Sequence, residues 1–209
     1  ALVGRRTEAW SIEAQASHVG YRDQRYQVDF QRAGRLSASF LWDQIPLFIS
    51  ADTRTLYTQP AAGVFRLEDG LQQEIQGGTK TLRDFEDQAV RFDLRTLRTV
   101  GQADIVFNLT RSTDISLTVT NTNREGAIPF GGTFGFSNAV ELPAPVDTRT
   151  TDIRTEVEWA SSKGMLSLGW DGSTFANQVQ SVTWDNPLRF GPDVANLPSQ
   201  GRMASWPDN

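Results

Sequence analysis

The sequence predicts an all-β protein, an antiparallel up-and-down transmembrane β-barrel of which this chain forms a partial wall. Runs of about ten residues alternate between apolar and polar side chains, the period of a strand with two unlike faces. Short and long connections follow one another, as they do when turns collect on one rim of a barrel and loops on the other. With 38% hydrophobic residues, the chain has no apolar run long enough for a membrane-spanning helix.

About seven strands follow from the alternation, and the first three have their apolar side chains at even positions. These strands are 10–19, 25–32 and 35–43, and their apolar faces consist of Trp10, Ile12, Ala14 and Ala16; Tyr26, Val28 and Phe30; and Leu36, Ala38, Phe40 and Trp42. Four further strands are predicted at 100–110, 114–123, 151–160 and 166–171. Their apolar faces consist of Ala103, Ile105, Phe107 and Leu109; Ile115, Leu117 and Val119; Ile153, Thr155, Val157 and Trp159; and Leu166, Leu168 and Trp170.

The connections differ in length in a regular way. The turns at 33–34, 111–113 and 161–164 are short, whereas 44–99, 124–150 and the segment after Phe175 are predicted to be long loops. Soluble β-sandwiches do not sort their connections in this manner, because their strands are joined by Greek-key crossings. We therefore place the short turns at the periplasmic rim and the long loops outside the cell.

The two faces of the predicted strands suit lipid on one side and water on the other. Aromatic residues at the strand ends are the candidates for the lipid interface, although aromatics at strand ends can also pack under loops. These candidates are Trp10, Tyr26, Trp42 and Trp159. The polar face would crowd a small barrel but suits a wide, wet lumen. The lumen-facing candidates are Glu13, Gln15, Gln27, Asp29, Gln102, Asp104, Asn108, Arg154, Glu156 and Glu158.

The composition argues against several other kinds of site. The chain has no cysteine and a net charge of −5, which argues against disulfides, CxxCH haem attachment and nucleic-acid binding. His18 is the single histidine and is predicted to pack in a loop or at the interface. Glu156 and Glu158 share a strand face without implying a glycosidase pocket. We predict no catalytic, metal-binding or cofactor-binding residues.

Two details concern the long loops. The glycine-rich run 131–135 lacks the lysine and helix of a phosphate-binding loop, so a mobile loop is predicted there. Thr81, with Asp84 three residues later, predicts the start of a short helix that could fold into the lumen.

Several loop motifs resemble the MtrB/PioB-type outer-membrane barrels that partner decahaem cytochromes. They are the runs 129–136 (PFGGTFGF), 138–147 (NAVELPAPVD), 183–188 (TWDNPL) and 201–204 (GRMA) leading to 206–208 (WPD), with 92–95 (FDLR) as a weaker similarity. The resemblance extends over nearly the whole chain. Some members of this family carry a CxxC motif near the N-terminus, which this chain does not match.

The resemblance implies a non-enzymatic sheath in the outer membrane of a Gram-negative bacterium. A multihaem c-type cytochrome would thread the lumen, a second extracellular multihaem cytochrome would dock at the long-loop rim, and lipid would surround the wall. Haem would be carried by the partner and not by this chain. Because such barrels have more than twenty strands, residues 1–209 are expected to be a fragment of one larger barrel domain.

Two alternatives remain open at this stage. A general porin or a TonB-dependent-type transporter barrel would show the same alternation and the same asymmetry of connections. A soluble carbohydrate-binding β-sandwich would instead use Trp10, Trp42 and Trp184 as platforms for sugar rings.

Overall fold

The computed structural model describes residues 1–134, 138–188 and 199–204, and within them the chain is almost entirely β-structure. The elements in chain order are β1 (Leu2–Arg6), β2 (Trp10–Ser17), β3 (Arg25–Arg32), β4 (Leu36–Thr55), β5 (Thr58–Ala61), β6 (Val64–Arg66), α1 (Asp69–Gln76), a 3₁₀ helix (Leu82–Gln88), β7 (Val90–Thr110), β8 (Thr113–Phe134), β9 (Asn138–Ser161), β10 (Gly164–Asn177), β11 (Ser181–Asp185) and β12 (Gln200–Ala204).

Eight strands form one large sheet in the order β1-β2-β3-β4-β7-β8-β9-β10. All neighbours are antiparallel, so the predicted up-and-down arrangement is confirmed. The sheet is open, because within the described residues β1 and β10 each have a neighbour on one side only.

The pairing register keeps the two predicted faces separate across the sheet, since residues directly opposite each other on paired strands lie on the same face. One apolar row runs from Ile12 through Phe30, Ala38 and Ile105 to Leu117. The neighbouring row on the other face is polar. It contains Glu13, Asp29, Ser39, Asp104, Thr118 and Arg154.

The prediction that 44–99 and 124–150 are loops is largely wrong. Strand β4 continues to Thr55, and β7, the next strand of the large sheet, already begins at Val90. Strand β8 continues beyond Asn123 to Phe134, and β9 begins at Asn138, well before Thr151. Strand β1 was also missed. Pro129 and Pro143 face each other where β8 and β9 form a ribbon beyond their pairings with β7 and β10. Proline has no backbone N–H, and it is tolerated there because, within the described residues, the outer edges of this two-stranded ribbon have no strand that an N–H would bond.

A second, small sheet and both helices form a compact unit, which we call the cap (residues 56–89, 178–188 and 199–204). Its sheet has the order β12-β11-β6-β5, with β6 and β11 parallel. The main hydrophobic core of the described residues lies between this unit and the large sheet. The buried residues of that core are Tyr57, Phe65, Leu67, Leu71, Ile75, Phe85, Leu142, Val179, Val182 and Trp184.

The helices are local features of the cap. The predicted start at Thr81 is confirmed, because the Asp84 carboxylate accepts hydrogen bonds from the backbone N–H and the hydroxyl of Thr81 at 2.6 and 2.9 Å. These bonds hold the pKa of Asp84 below its ordinary value. Helix α1 was missed and buries Leu71 and Ile75, four residues apart. In the described part of the chain, neither helix has the length and apolar character needed to cross a membrane.

Candidate functional site: the polar face and its cap

The ten predicted lumen-facing residues lie on one face of the large sheet. One row across the strands contains Glu13, Asp29, Asp104 and Arg154, and the neighbouring row on the same face contains Gln15, Gln27 and Gln102. Nearer the short turns, the same face contains Asn108, Glu156 and Glu158. The register therefore places these ten residues together on one face. That this face borders a lumen stays a prediction.

Hydrogen bonds and loose ion pairs connect the polar side chains along this face. The Asp104 carboxylate accepts from the Gln102 amide at 2.7 Å and from the Thr118 hydroxyl at 2.8 Å. Arg154 lies 3.5 Å from Glu156 and 3.7 Å from Asp171. Because Arg154 is 65% exposed, these ion pairs contribute little stability, about 1 kcal/mol or less each. The charges therefore remain available to a partner in contact with the face.

A shallow groove of about 600 Å³ lies on the sheet toward β1. Its lining includes Arg6, Glu13, Asp29, Ser37 and Asp104, so both signs of charge and neutral hydroxyls meet there. Such a lining can make polar contacts with water or with a protein surface. Among the described residues, no group of His, Asp and Glu side chains is arranged to hold a metal ion.

The opposite face exposes large apolar side chains that no other part of the described chain covers. Phe40 is 50% exposed and Leu168 is 73% exposed. Exposed members of this face include Val3, Ile12, Val28, Phe40, Ile105, Phe107, Ile115, Ile153, Val157, Trp159, Leu166, Leu168 and Trp170. An apolar surface of this extent is typical of contact with lipid or with a protein partner.

The four predicted interface aromatics share this apolar face. Tyr26 and Trp42 are direct cross-strand neighbours with ring centroids 5.5 Å apart. The Tyr26 hydroxyl donates to the Gln24 amide oxygen at 3.0 Å, and Gln24 in turn donates to Gln44 at 2.9 Å. An aromatic ring followed by a row of amides is the sequence of groups expected where hydrocarbon gives way to lipid headgroups. On the same face, Trp10 lies beneath the Arg5 guanidinium, 5.8 Å from the ring centroid, and Trp159 belongs to β9.

The cap lies on the polar face of the large sheet. The β8–β9 register is unbroken from Thr113 opposite Trp159 to Phe134 opposite Asn138, so the face on which each side chain lies can be followed along both strands. Leu142 and Ala144 are buried, and they lie on the same face of β9 as Arg154 and Glu156. The wall is therefore two layers thick at this end, with the second layer on the polar side.

Trp184 is the main contact between the cap and the wall. Its ring meets Phe130 of β8 edge to face, with centroids 5.4 Å apart. A Cβ atom at Gly132 would lie 2.8 Å from the Trp184 ring, and one at Gly201 would lie closer still. Glycine is therefore required on both sides of the indole. The predicted mobile loop at 131–135 is wrong for Gly131 and Gly132, which belong to β8; Gly135 lies outside the described residues.

Asp185 joins four segments of the cap. Its carboxylate accepts from Arg66 at 2.8 Å, from the Leu67 backbone N–H at 3.1 Å and from Gln200 at 2.8 Å, while its carbonyl accepts from the Tyr57 hydroxyl at 2.7 Å. Burial raises the pKa of Asp185, although the Leu67 N–H and the Arg66 charge oppose the rise. Burial also raises the pKa of Tyr57 well above its ordinary value, and the nearby Asp185 charge adds to this. The adjoining Asn186 accepts from Gln72 at 2.7 Å through its carbonyl.

The remaining predicted features have no role in a site. His18 lies exposed in the connection between β2 and β3, with its Nδ1 atom 2.6 Å from the Asp23 carboxylate. The sandwich alternative is wrong, because the small sheet packs on the polar side at one end of the large sheet only, and the described residues leave the apolar face of the large sheet uncovered. Trp184 is buried and cannot serve as a sugar platform.

The motifs that carry the family resemblance converge on the cap. The contact between cap and wall contains Phe130, Gly132, Leu142, Trp184 and Gly201, which all belong to these motifs. The motif residues Leu94, Ala144 and Asp185 are also buried. Residues 135–136 and 206–208 of the motifs lie outside the described part.

Comparison with known proteins agrees with this fold. A comparison with curated proteins gave no match. The model of the family described as "Putative outer membrane beta-barrel porin, MtrB/PioB" matches residues 3–209, nearly the entire chain. A sheet with one bare apolar face and one polar face is the structure that such a barrel wall requires. The chain therefore belongs to the MtrB/PioB family of outer-membrane β-barrels.

Proposed function

We propose that this chain is part of a barrel wall that encloses a multihaem c-type cytochrome, so that electrons cross the outer membrane of a Gram-negative bacterium. The observation that carries the proposal is the polar face, on which carboxylates, guanidinium groups, amides and hydroxyls alternate and stay partly exposed. A face of this composition can form many direct and water-bridged contacts with an inserted polar protein. The resemblance to cytochrome-partnering barrels supplies the identity of that protein.

The wall has a passive role in this proposal. Haem belongs to the cytochrome, and the barrel keeps the haem chain apart from lipid and fixes its position across the membrane. Strands from outside this chain pair with the free edges of β1 and β10 and close the barrel. Since no residue of the wall reacts, the function is non-enzymatic and depends on fit.

The rim opposite the short turns is the proposed docking site for a second, extracellular multihaem cytochrome. The cap and the β8–β9 ribbon extend the structure at this rim, while the short turns at 33–35, 111–112 and 162–163 close the other rim. A folded surface outside the membrane gives a docking protein more area than isolated loops provide.

The alternative function is that of an open porin, which the family description favours and which the solvated groove on the polar face would suit. The two functions differ in what fills the lumen. We therefore suggest purifying the full-length protein through a tag in mild detergent and recording a reduced-minus-oxidised visible spectrum. A c-type haem spectrum at a fixed ratio to the barrel supports the sheath. A haem-free preparation that conducts ions freely in planar bilayers would overturn it in favour of the porin.

A further inference from the structure

We infer that the cap is a fixed collar inside the outer mouth of the barrel, where it narrows the lumen and contacts the protein that fills it. The pairing register places the cap on the polar side of the wall, and this side is the interior of the barrel if the polar face borders the lumen. The identity of the contacted protein rests on the proposed function.

Two neighbouring strands show on which side of the wall the cap lies. On β9, Leu142 belongs to the core of the cap and shares a face with Glu156; on β8, Phe130 packs against that core and shares a face with Thr118. In both cases the cap side is the polar side, so the cap does not lie on the outer surface of the barrel.

The chain enters the cap from the polar face of the wall. Asn177, at the end of β10, is paired with Thr148 and so belongs to the polar face. Its side chain accepts from the Val179 backbone N–H at 3.0 Å, and the Gln178 N–H donates to the Asp147 carbonyl at 2.9 Å. The chain is thus tied to the wall as it turns inward, and Val179 enters the core directly.

The cap is held in one position on the wall. Trp184 is enclosed by Phe130, Gly132 and Gly201, and the Asp185 carboxylate and carbonyl join Tyr57, β6 and β12 to β11. A unit with a buried core and a buried polar hub opens as a whole or not at all. The cap therefore acts as a permanent narrowing, in contrast to a hinged lid.

The collar presents the outer sides of its two helices to the lumen. Leu71, Gln72 and Ile75 face the core, so the other side of α1 and the 3₁₀ helix points away from the wall. Acidic residues predominate among the exposed charged side chains between residues 66 and 88. The acidic ones are Glu68, Asp69, Glu74, Asp84, Glu86 and Asp87, and the basic ones are Arg66, Lys80 and Arg83. Lys80 is already paired with Glu74 at 2.5 Å. The collar thus fits a partner whose facing surface is basic.

Single cysteines can test both the location and the contact, because this chain contains none. We suggest Gln73→Cys on α1 and Arg83→Cys on the 3₁₀ helix of the full-length protein, in a background free of other reactive cysteines. The matched control is Glu141→Cys, exposed on β9 beside buried Leu142 and on the opposite face. Each variant is tested with a photoreactive benzophenone attached, and separately in planar bilayers as the barrel without its partner.

The collar predicts cross-links from positions 73 and 83 to the haem protein and none from position 141. In bilayers, a cationic methanethiosulfonate should shift the reversal potential toward anion selectivity at 73 and 83 and leave it unchanged at 141, because charges that line a pore set its selectivity. If no haem protein is recovered but the shift occurs, the proposed function fails and the collar stands. If 73 and 83 give neither cross-links nor a shift, or if 141 alone gives them, the collar is overturned.

Discussion

Trp184 of β11 meets Phe130 of β8 edge to face, with ring centroids 5.4 Å apart, although more than fifty residues separate them along the chain. This contact joins the cap to the upper part of the wall. Each of the two residues lies in a motif that resembles the MtrB/PioB family. Both motifs therefore lie where the cap is attached to the wall, while the lipid-facing strands require only alternation and can vary widely in sequence.

Replacing Trp184 by alanine should detach the cap and leave the wall assembled. Truncating a buried tryptophan costs about 3–5 kcal/mol, whereas the wall is held by its own hydrogen-bond ladder. Hydrogen exchange by mass spectrometry should become fast in cap peptides. It should stay slow in β8 from Thr113 to Asn121 and in the part of β9 that pairs with it, from Thr151 to Trp159. Trp170→Ala, on the exposed apolar face, is the control and should leave cap exchange unchanged. Equal effects of the two substitutions would contradict this description.

Adjacent glycines on β8 should respond very differently to alanine. A Cβ at Gly132 would lie 2.8 Å from the Trp184 ring and 3.1 Å from Leu142, whereas a Cβ at Gly131 has nothing within 4 Å. Gly132→Ala should therefore destabilise the cap by about 1–3 kcal/mol through overpacking, and Gly131→Ala should be nearly neutral. Protease resistance of the cap measures both. Equal resistance in the two variants would show that Trp184 does not approach β8 as described.

Alkaline pH should loosen the cap through Tyr57. Its folded-state pKa lies above the value of about 10 expected in the unfolded chain, so its stabilising contribution is present below pH 10 and is lost as the pH rises beyond it. Tyr57→Phe should remove this dependence while costing about 1 kcal/mol at neutral pH, because a buried hydrogen bond is lost. Difference titration of tyrosinate absorbance checks it. Ordinary ionisation of Tyr57 in an intact cap would be inconsistent with its burial.

Arg66→Gln should weaken the cap more at neutral pH than in acid. The folded-state pKa of Asp185 is raised, so folding is favoured while this carboxyl is protonated, and stability falls as the pH rises through that pKa. Arg66 opposes the loss at 2.8 Å from the carboxylate, by about 1 kcal/mol or less because the guanidinium is half-exposed. Protease resistance at about pH 4 and pH 7.5 compares the two states. Arg83→Gln is the control, and a larger loss in acid would reverse the expected sign.

The membrane part of the fold could be predicted from the sequence because each strand has its own alternation. Strand β3 was predicted at its observed bounds, and the faces of all seven predicted strands are those in the structure. The cap could not be predicted in this way, since its core joins segments far apart in sequence. A signal was nevertheless present within the predicted loop 124–150, where Val140, Leu142, Ala144 and Val146 alternate with Glu141, Pro143 and Pro145.

The most direct test of the central claim, that one face meets lipid and the other a wet lumen, is a pair of adjacent substitutions on β8. Leu117 lies in an apolar row and Thr118 in the polar row next to it. An arginine at the lipid face near the bilayer centre costs about 2–4 kcal/mol, whereas a lumen substitution mainly alters selectivity. Assembly into the outer membrane, measured as heat-modifiable, protease-resistant barrel, should fall sharply for Leu117→Arg and stay near wild type for Thr118→Arg. Normal assembly of Leu117→Arg together with failure of Thr118→Arg would contradict the account.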